Sequence, residues 1–177
     1  MEKINKRKAL FLDRDGVINE DFGYVYEISK FEFRDGVFET LKKFQDLDYL
    51  LIIITNQSGI SRGYYTEEDF HTLTEFMLKA FLDKGIKIDK VYYCPHGADE
   101  TCECRKPNPG MILKANYEFD IDLENSILVG DKISDIEAGK RAGVKNLFFM
   151  EGREVEKSDE FNTVKNIKEI LNYTKEI

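Results

Sequence analysis

Short apolar runs alternate with helix-spaced apolar positions along most of this 177-residue chain. LFL at 10–12, YLLIII at 49–54, KVYYC at 90–94, SILVG at 126–130 and VKNLFFM at 144–150 are rich in β-branched or aromatic residues and bounded by turn formers. Each predicts a buried strand. Between them Val37, Leu41 and Phe44 repeat at helical spacing, as do Phe70, Leu73, Met77 and Phe81. Thr66 followed by Glu67, Glu68 and Asp69 marks the start of that second helix, and Gly85 its stop. Asn108 and Pro109 suit an N-cap and first helical position ahead of Ile112, Ala115 and Phe119, and Ser134 with Glu137 has the spacing of a capping box. Val164, Ile167, Ile170 and Leu171 predict a last helix. Strands alternating with helices imply an α/β fold: a Rossmann-like, doubly wound, mainly parallel sheet with helices on both faces. No repeat, low-complexity segment or Pro/Gly/Ser-rich linker divides the chain, so residues 1–177 read as one domain, with the charged stretch 151–160 a solvated loop.

Composition narrows the class. Hydrophobic residues make up 42% of the chain, and 13 Phe with 9 Tyr can fill one sizeable core. A net charge of -8 repels polyanions, so no nucleic-acid partner is expected. No apolar run approaches the roughly 20 residues that span a bilayer. The N-terminal MEKINKRKALFL offers only a four-residue apolar stretch before Asp13, and a cytoplasmic, membrane-free monomer is the expectation.

In a parallel sheet of this kind ligands bind at the carboxyl ends of the strands, so the residues after each apolar run matter most. The first run enters Asp13-Arg14-Asp15-Gly16, where a carboxylate and a main-chain carbonyl can meet a hard cation such as Mg²⁺ and Gly16 permits a sharp turn. A calcium loop fails, because Val17 and Ile18 stand where it needs a polar ligand and a glycine. Two acids in an exposed turn remain the bland alternative. The second run ends in Thr55-Asn56-Gln57-Ser58-Gly59, donors suited to phosphoryl oxygens or an ordinary polar turn. The third leads through a cysteine segment to Arg105-Lys106-Pro107, and the fourth to Gly130-Asp131-Lys132 with Asp135 four residues after Asp131. Asp135 suits a first-turn helix acid as well as a site residue.

All three cysteines and one of two histidines fall between Cys94 and Cys104. Cys94, His96, Cys102 and Cys104 make a Cys3His set, right in number and type for a closed structural zinc site. Soft thiolates favour Zn²⁺ over Mg²⁺, so two metals can sort into two sites. A disulfide with a spare thiol is the rival, disfavoured in a reducing compartment. Structural zinc contributes roughly 10–16 kcal/mol in small peptides, enough to order the apolar-poor loop GADETCE and fix Arg105 and Lys106 behind it. His71, in a polar stretch, reads as surface.

Taken in order, Asp13/Asp15, Thr55 or Asn56, Lys106 and Asp131/Asp135 resemble the four motifs of the haloacid dehalogenase superfamily of aspartate-nucleophile phosphohydrolases, over about residues 9–150. The resemblance implies that Asp13 attacks phosphorus, that Asp15 serves as acid and then base, and that Lys106 balances phosphoryl charge. It also implies Mg²⁺ on Asp13, the Asp15 carbonyl and Asp131, with Asp135 in support. Within the superfamily, DRDGVIN, GYVYEISKFEF, TNQSGISRG and CPH…CECRKPNPGM resemble the heptose bisphosphate phosphatases, while the short His96-to-Cys102 spacer is similar to the histidinol-phosphate phosphatase domain. A phosphosugar substrate is thereby implied, held by Asp21, Phe22, Gly23, Tyr24, Thr55, Asn56, Gln57, Ser58, Arg62, Arg105 and Lys132. Arg62 reads equally as a solvated loop charge. The intervals between motifs leave no room for a separate cap domain. A zinc-ribbon binding module would explain the cysteines but not the acidic strand ends, and a phosphotransferase or mutase would need an element that excludes water.

Overall fold

The computed structural model describes residues 6–152 and 158–174. Strands β1 (Ala9–Leu12), β2 (Leu50–Asn56), β3 (Lys90–Cys94), β4 (Ile127–Gly130), β5 (Asn146–Met150) and β6 (Asn162–Val164) form one sheet in the order β3-β2-β1-β4-β5-β6. Every neighbouring pair is parallel. The strands read as unbroken apolar runs because both faces are covered. Leu10, Leu12, Leu51, Ile53, Ile127 and Val129 point to one face, where α1 (Val37–Asp46) and α2 (Glu67–Asp83) bury Leu41, Phe44, Leu73 and Met77. Ala9, Phe11, Ile52, Ile54 and Leu128 point to the other, where α3 (Gly110–Phe119) and α4 (Ile133–Ala142) supply Met111, Ile112, Ala115 and Ile136. The period-two alternation of the strand thus divides one apolar run between two cores.

The sequence places the five expected strands within a few residues, and three of its finer expectations need correction. The last apolar stretch is not one helix: Val164 ends β6, and only Ile167–Asn172 winds, as a 3-10 helix opened by the Asn166 side chain. Asn108 does not cap α3, which starts at Gly110 without a side-chain cap; its amide donates instead to the carbonyl of Cys102 at 2.9 Å. At α4 the first turn is closed by Asp135 rather than by Ser134 with Glu137, its Oδ2 accepting from the amides of Asp131 and Lys132, each at 3.1 Å. Thr66 caps α2 as expected, accepting from the Asp69 amide while the Asp69 carboxylate accepts from the Thr66 amide. The expected loop at 151–160 lies partly outside the described residues. Among the described residues no helix is long and apolar enough to cross a membrane.

Candidate active site

β1 and β4 are adjacent, so their carboxyl ends bring Asp13 and Asp131 together across the centre of the sheet. The Asp13 amide donates to Val129 O (3.1 Å), which fixes its backbone in the ladder. Lys106 reaches the same point from the loop after β3. Its ammonium lies 3.0 Å from Asp13 Oδ1 and 2.6 Å from Asp135 Oδ1, and donates to Ile54 O at 2.9 Å. All three charged residues are at most 6% exposed. Burial alone would lower Lys106, but the Asp13 and Asp135 carboxylates outweigh it and hold the ammonium above its ordinary value. Burial first, and the Asp135 charge next, lift Asp13 well above the usual carboxylate range against the pull of Lys106. A reciprocal pair ties the Lys106 backbone to β2: Asn56 Nδ2 donates to Lys106 O and the Lys106 amide donates to Asn56 Oδ1, both at 3.1 Å.

Asp15 lines the same cavity and is held by donors. Arg14 gives Nη2 to both carboxylate oxygens (2.9 and 3.1 Å), Asn19 Nδ2 donates to Oδ1 (3.0 Å) and Gln57 Nε2 to Oδ2 (3.2 Å). These groups open onto a cavity of about 760 Å³ whose lining includes Asp13, Asp15, Asp21, Gly23, Tyr24, Asn56, Gln57, Ser58, Arg105, Lys106, Lys132 and Asp135. The floor is mixed in charge, anionic at the strand ends and cationic at Lys106, Arg105 and Lys132, which is what a metal and a phosphate together require.

Two donor sets fit metal ions. Asp13, Asp131 and Asp135 each bring a carboxylate oxygen within 4.8 Å of the others. Asp135 is committed to Lys106 and two amides, whereas Asp131 Oδ1 is buried with no hydrogen-bond partner among the described residues. An orphaned buried acceptor beside a second carboxylate suits a hard cation such as Mg²⁺. Burial, then Asp135, pushes Asp131 up to about 6. The second set is Cys94, His96, Cys102 and Cys104. Cys94 Sγ lies 3.4 Å from His96 Nδ1, 3.7 Å from Cys102 Sγ and 2.9 Å from Cys104 Sγ, with His96 Nδ1 to Cys104 Sγ at 3.3 Å. The cysteines are unpaired by disulfides, and three sulfurs and an imidazole nitrogen converging on one point suit Zn²⁺. The loop is continuous with the cavity: Arg105 donates Nη1 to His96 O (3.2 Å) and its amide to Cys102 Sγ (3.4 Å).

Most of the sequence-derived residues converge here, and of the expected substrate-binding residues three sit apart from this lining. Thr55 is fully buried, its Oγ1 accepting from Gln57 Nε2 at 2.8 Å. Arg62 is exposed and stands 6.0 Å over the Tyr24 ring, and Phe22, 62% exposed, lines a neighbouring cavity with Asp131 and Arg34. His71 is exposed on α2, as its polar setting implies. Sequence reasoning passed over Arg14, Asn19, Tyr65 and Glu100. Arg14 stands between the two acids of the first motif and Asn19 three residues beyond it, and a cation set between two carboxylates was a usable signal for Arg14. Glu100 accepts from Ser61 Oγ and the Gly97 amide, each at 2.5 Å, closing the cysteine loop onto the loop after β2; nothing local marks it.

Comparison with known proteins agrees with this geometry. The model of the haloacid dehalogenase-like hydrolase family matches residues 17–149. A curated D-glycero-alpha-D-manno-heptose-1,7-bisphosphate 7-phosphatase of Campylobacter jejuni is 56% identical over 97% of this chain and 98% of its own. A D-glycero-beta-D-manno-heptose-1,7-bisphosphate 7-phosphatase of Helicobacter pylori is 47% identical over 97% and 99%. Among solved structures, a D,D-heptose 1,7-bisphosphate phosphatase from B. bronchiseptica, complexed with magnesium and phosphate, superposes with a TM-score of 0.87 at 27% identity, covering 96% of this chain and 98% of that one. Two carboxylates at adjacent strand ends, a buried lysine paired with Asp13 and Asp135, and 47–56% identity to these phosphatases over nearly the whole chain have one common reading: the chain belongs to the haloacid dehalogenase-like hydrolase family.

Proposed function

We propose that this enzyme hydrolyses the C7 phosphate of D-glycero-D-manno-heptose 1,7-bisphosphate, leaving the heptose 1-phosphate used to make nucleotide-activated heptose for surface polysaccharide. The near full-length identity to curated relatives of that name carries the substrate, and the Asp13–Lys106–Asp135 cluster under an open cavity supports the chemistry. The short cysteine loop keeps histidinol phosphate as the second reading.

In this mechanism Asp13 attacks phosphorus and its oxygen forms the new P–O bond as the bond to the sugar C7 oxygen breaks. Asp15 gives that leaving oxygen a proton, then takes one from the water that attacks the aspartyl phosphate and regenerates Asp13. Lys106 keeps Asp13 oriented and offsets charge on the phosphoryl group, while Asp135 holds Lys106 in place. Asp13, Asp131 and the Asp15 carbonyl would hold Mg²⁺, which when bound lowers the repulsion between carboxylate and phosphate and keeps Asp13 deprotonated. Asn56, Ser58 and the amides of the turn after β2 cradle phosphoryl oxygens, Gln57 standing beside them with its own side chain committed to Asp15, Thr55 and Tyr65, and Asp21 to Tyr24, Arg105 and Lys132 meet the sugar and its second phosphate. Cys94, His96, Cys102 and Cys104 would hold a structural Zn²⁺. We read residues 1–177 as one domain acting as a cytoplasmic monomer.

Phosphorus NMR of the bisphosphate during turnover tests the position of attack. Loss of the C7 phosphate resonance with the C1 resonance retained is the expected result, and loss of the C1 phosphate first would overturn it.

A further inference from the structure

We propose that Tyr65 is a positioning residue for this reaction: its hydroxyl fixes the side-chain amide of Gln57, and Gln57 in turn holds the Asp15 carboxylate in one orientation. The inference rests on the assignment of Asp15 as acid and base above. Gln57 is 2% exposed and its amide is fully committed. Nε2 donates to Thr55 Oγ1 at 2.8 Å and to Asp15 Oδ2 at 3.2 Å, and Oε1 accepts from the Tyr65 hydroxyl. Asp15 Oδ2 also accepts from Arg14 Nη2 at 3.1 Å, so it is the acceptor in this contact and the amide nitrogen must face it. Turned over, the amide would set its oxygen against that carboxylate. Tyr65 supplies the donor that the buried Oε1 needs in the productive orientation, and without it an unmet acceptor is left in the floor of the site.

The ring is itself tightly placed. Tyr65 is 6% exposed, stacks on Tyr26 at 5.1 Å and 13°, and lies against Gly59, where a Cβ would come within 2.2 Å of the ring. Burial pushes its hydroxyl up to about 12, so it remains protonated at neutral pH. Arg14 ties Asp15 to the same stretch of chain, since the Nη2 that contacts the carboxylate also donates to Val25 O at 2.7 Å. Asp15 is therefore linked on two sides to the segment that carries Tyr24 and Tyr26, beside the cavity lining.

The test compares leaving groups. kcat/KM reports the steps up to departure of the leaving group, where a sugar alkoxide needs a proton and p-nitrophenolate does not. Tyr65→Phe, which keeps the ring and its stack, should lower kcat/KM for heptose 1,7-bisphosphate about tenfold while p-nitrophenyl phosphate loses less than about twofold. Retained activity on the aryl substrate also shows that the site is assembled. Asp15→Asn should show the same selectivity, and in a Gln57→Leu background Tyr65→Phe should have no further effect on the ratio. Equal losses on both substrates, no loss, or full additivity with Gln57→Leu would overturn the inference. If Asp15→Asn is selective and Tyr65→Phe is not, the positioning role alone falls; if Asp15→Asn is not selective, the acid and base assignment falls and takes the positioning role with it.

Discussion

Asp131 is held at about 6, by burial first and by the Asp135 carboxylate next. A free aspartate titrates near 3.9, so the folded state binds this proton more tightly than the unfolded chain does. The resulting stabilisation is complete below about 4 and is lost as pH rises through about 6. Magnesium competes with the same proton, so its stabilising effect should grow over that window. Thermal unfolding with and without magnesium should therefore show a larger upward shift at about pH 7.5 than at about pH 5, and equal shifts would contradict the assignment of Asp131 as a ligand. Gly16 makes a second claim at this scale. Its φ is +87° and a Cβ there would lie 2.1 Å from Asp131 Oδ2. Gly16→Ala should displace that carboxylate, raising the magnesium concentration for half-maximal activity about tenfold or more, whereas an unchanged magnesium titration would show that the close approach is dispensable.

Among the elements, the cysteine loop and α2 make contrasting predictions. The loop brings four side chains to one point, adds a few hydrogen bonds, and rests Cys102 and Cys104 against the core. Metal analysis should find zinc bound, and stripping it with a chelator should raise KM for the bisphosphate through loss of Arg105, with a lower unfolding temperature; a protein indifferent to chelation would refute the brace. Thr66→Ala removes only the cap of α2, so it should cost about 1 kcal/mol in urea unfolding and leave kcat unchanged. The sequence made α2 legible because Phe70, Leu73, Met77 and Phe81 form one stripe with a cap in front of it. β6 was illegible for the opposite reason: Asn162–Val164 buries a single apolar side chain, and its pairing with β5 is a tertiary event with no local periodicity. Asn108 was misread because an Asn-Pro pair looks the same whether the amide caps a helix or fastens a loop.

At the scale of the molecule, the strand order carries function. β1, β2 and β4 end at one place, with β3 delivering Lys106 beside them, so four motifs far apart in sequence become one site. Three motifs were legible because each directly follows an apolar run, and Lys106 because the cysteine segment leads to it from the third; that rule needs only topology. What the topology does not encode is the second layer. Gln57 reaches Asp15 across 42 residues, and Glu100 reaches Ser61 across 39, through contacts that exist only once the loops are packed. The most direct test of the whole account is free phosphate released with magnesium from heptose 1,7-bisphosphate and, in parallel, from histidinol phosphate, by the unaltered protein and by Asp13→Asn. The account predicts a kcat/KM about 100-fold or more higher for the bisphosphate, and a loss of roughly 1000-fold or more in Asp13→Asn. Preference for histidinol phosphate would contradict the substrate, and near-normal turnover by Asp13→Asn would contradict the nucleophile on which the mechanism stands.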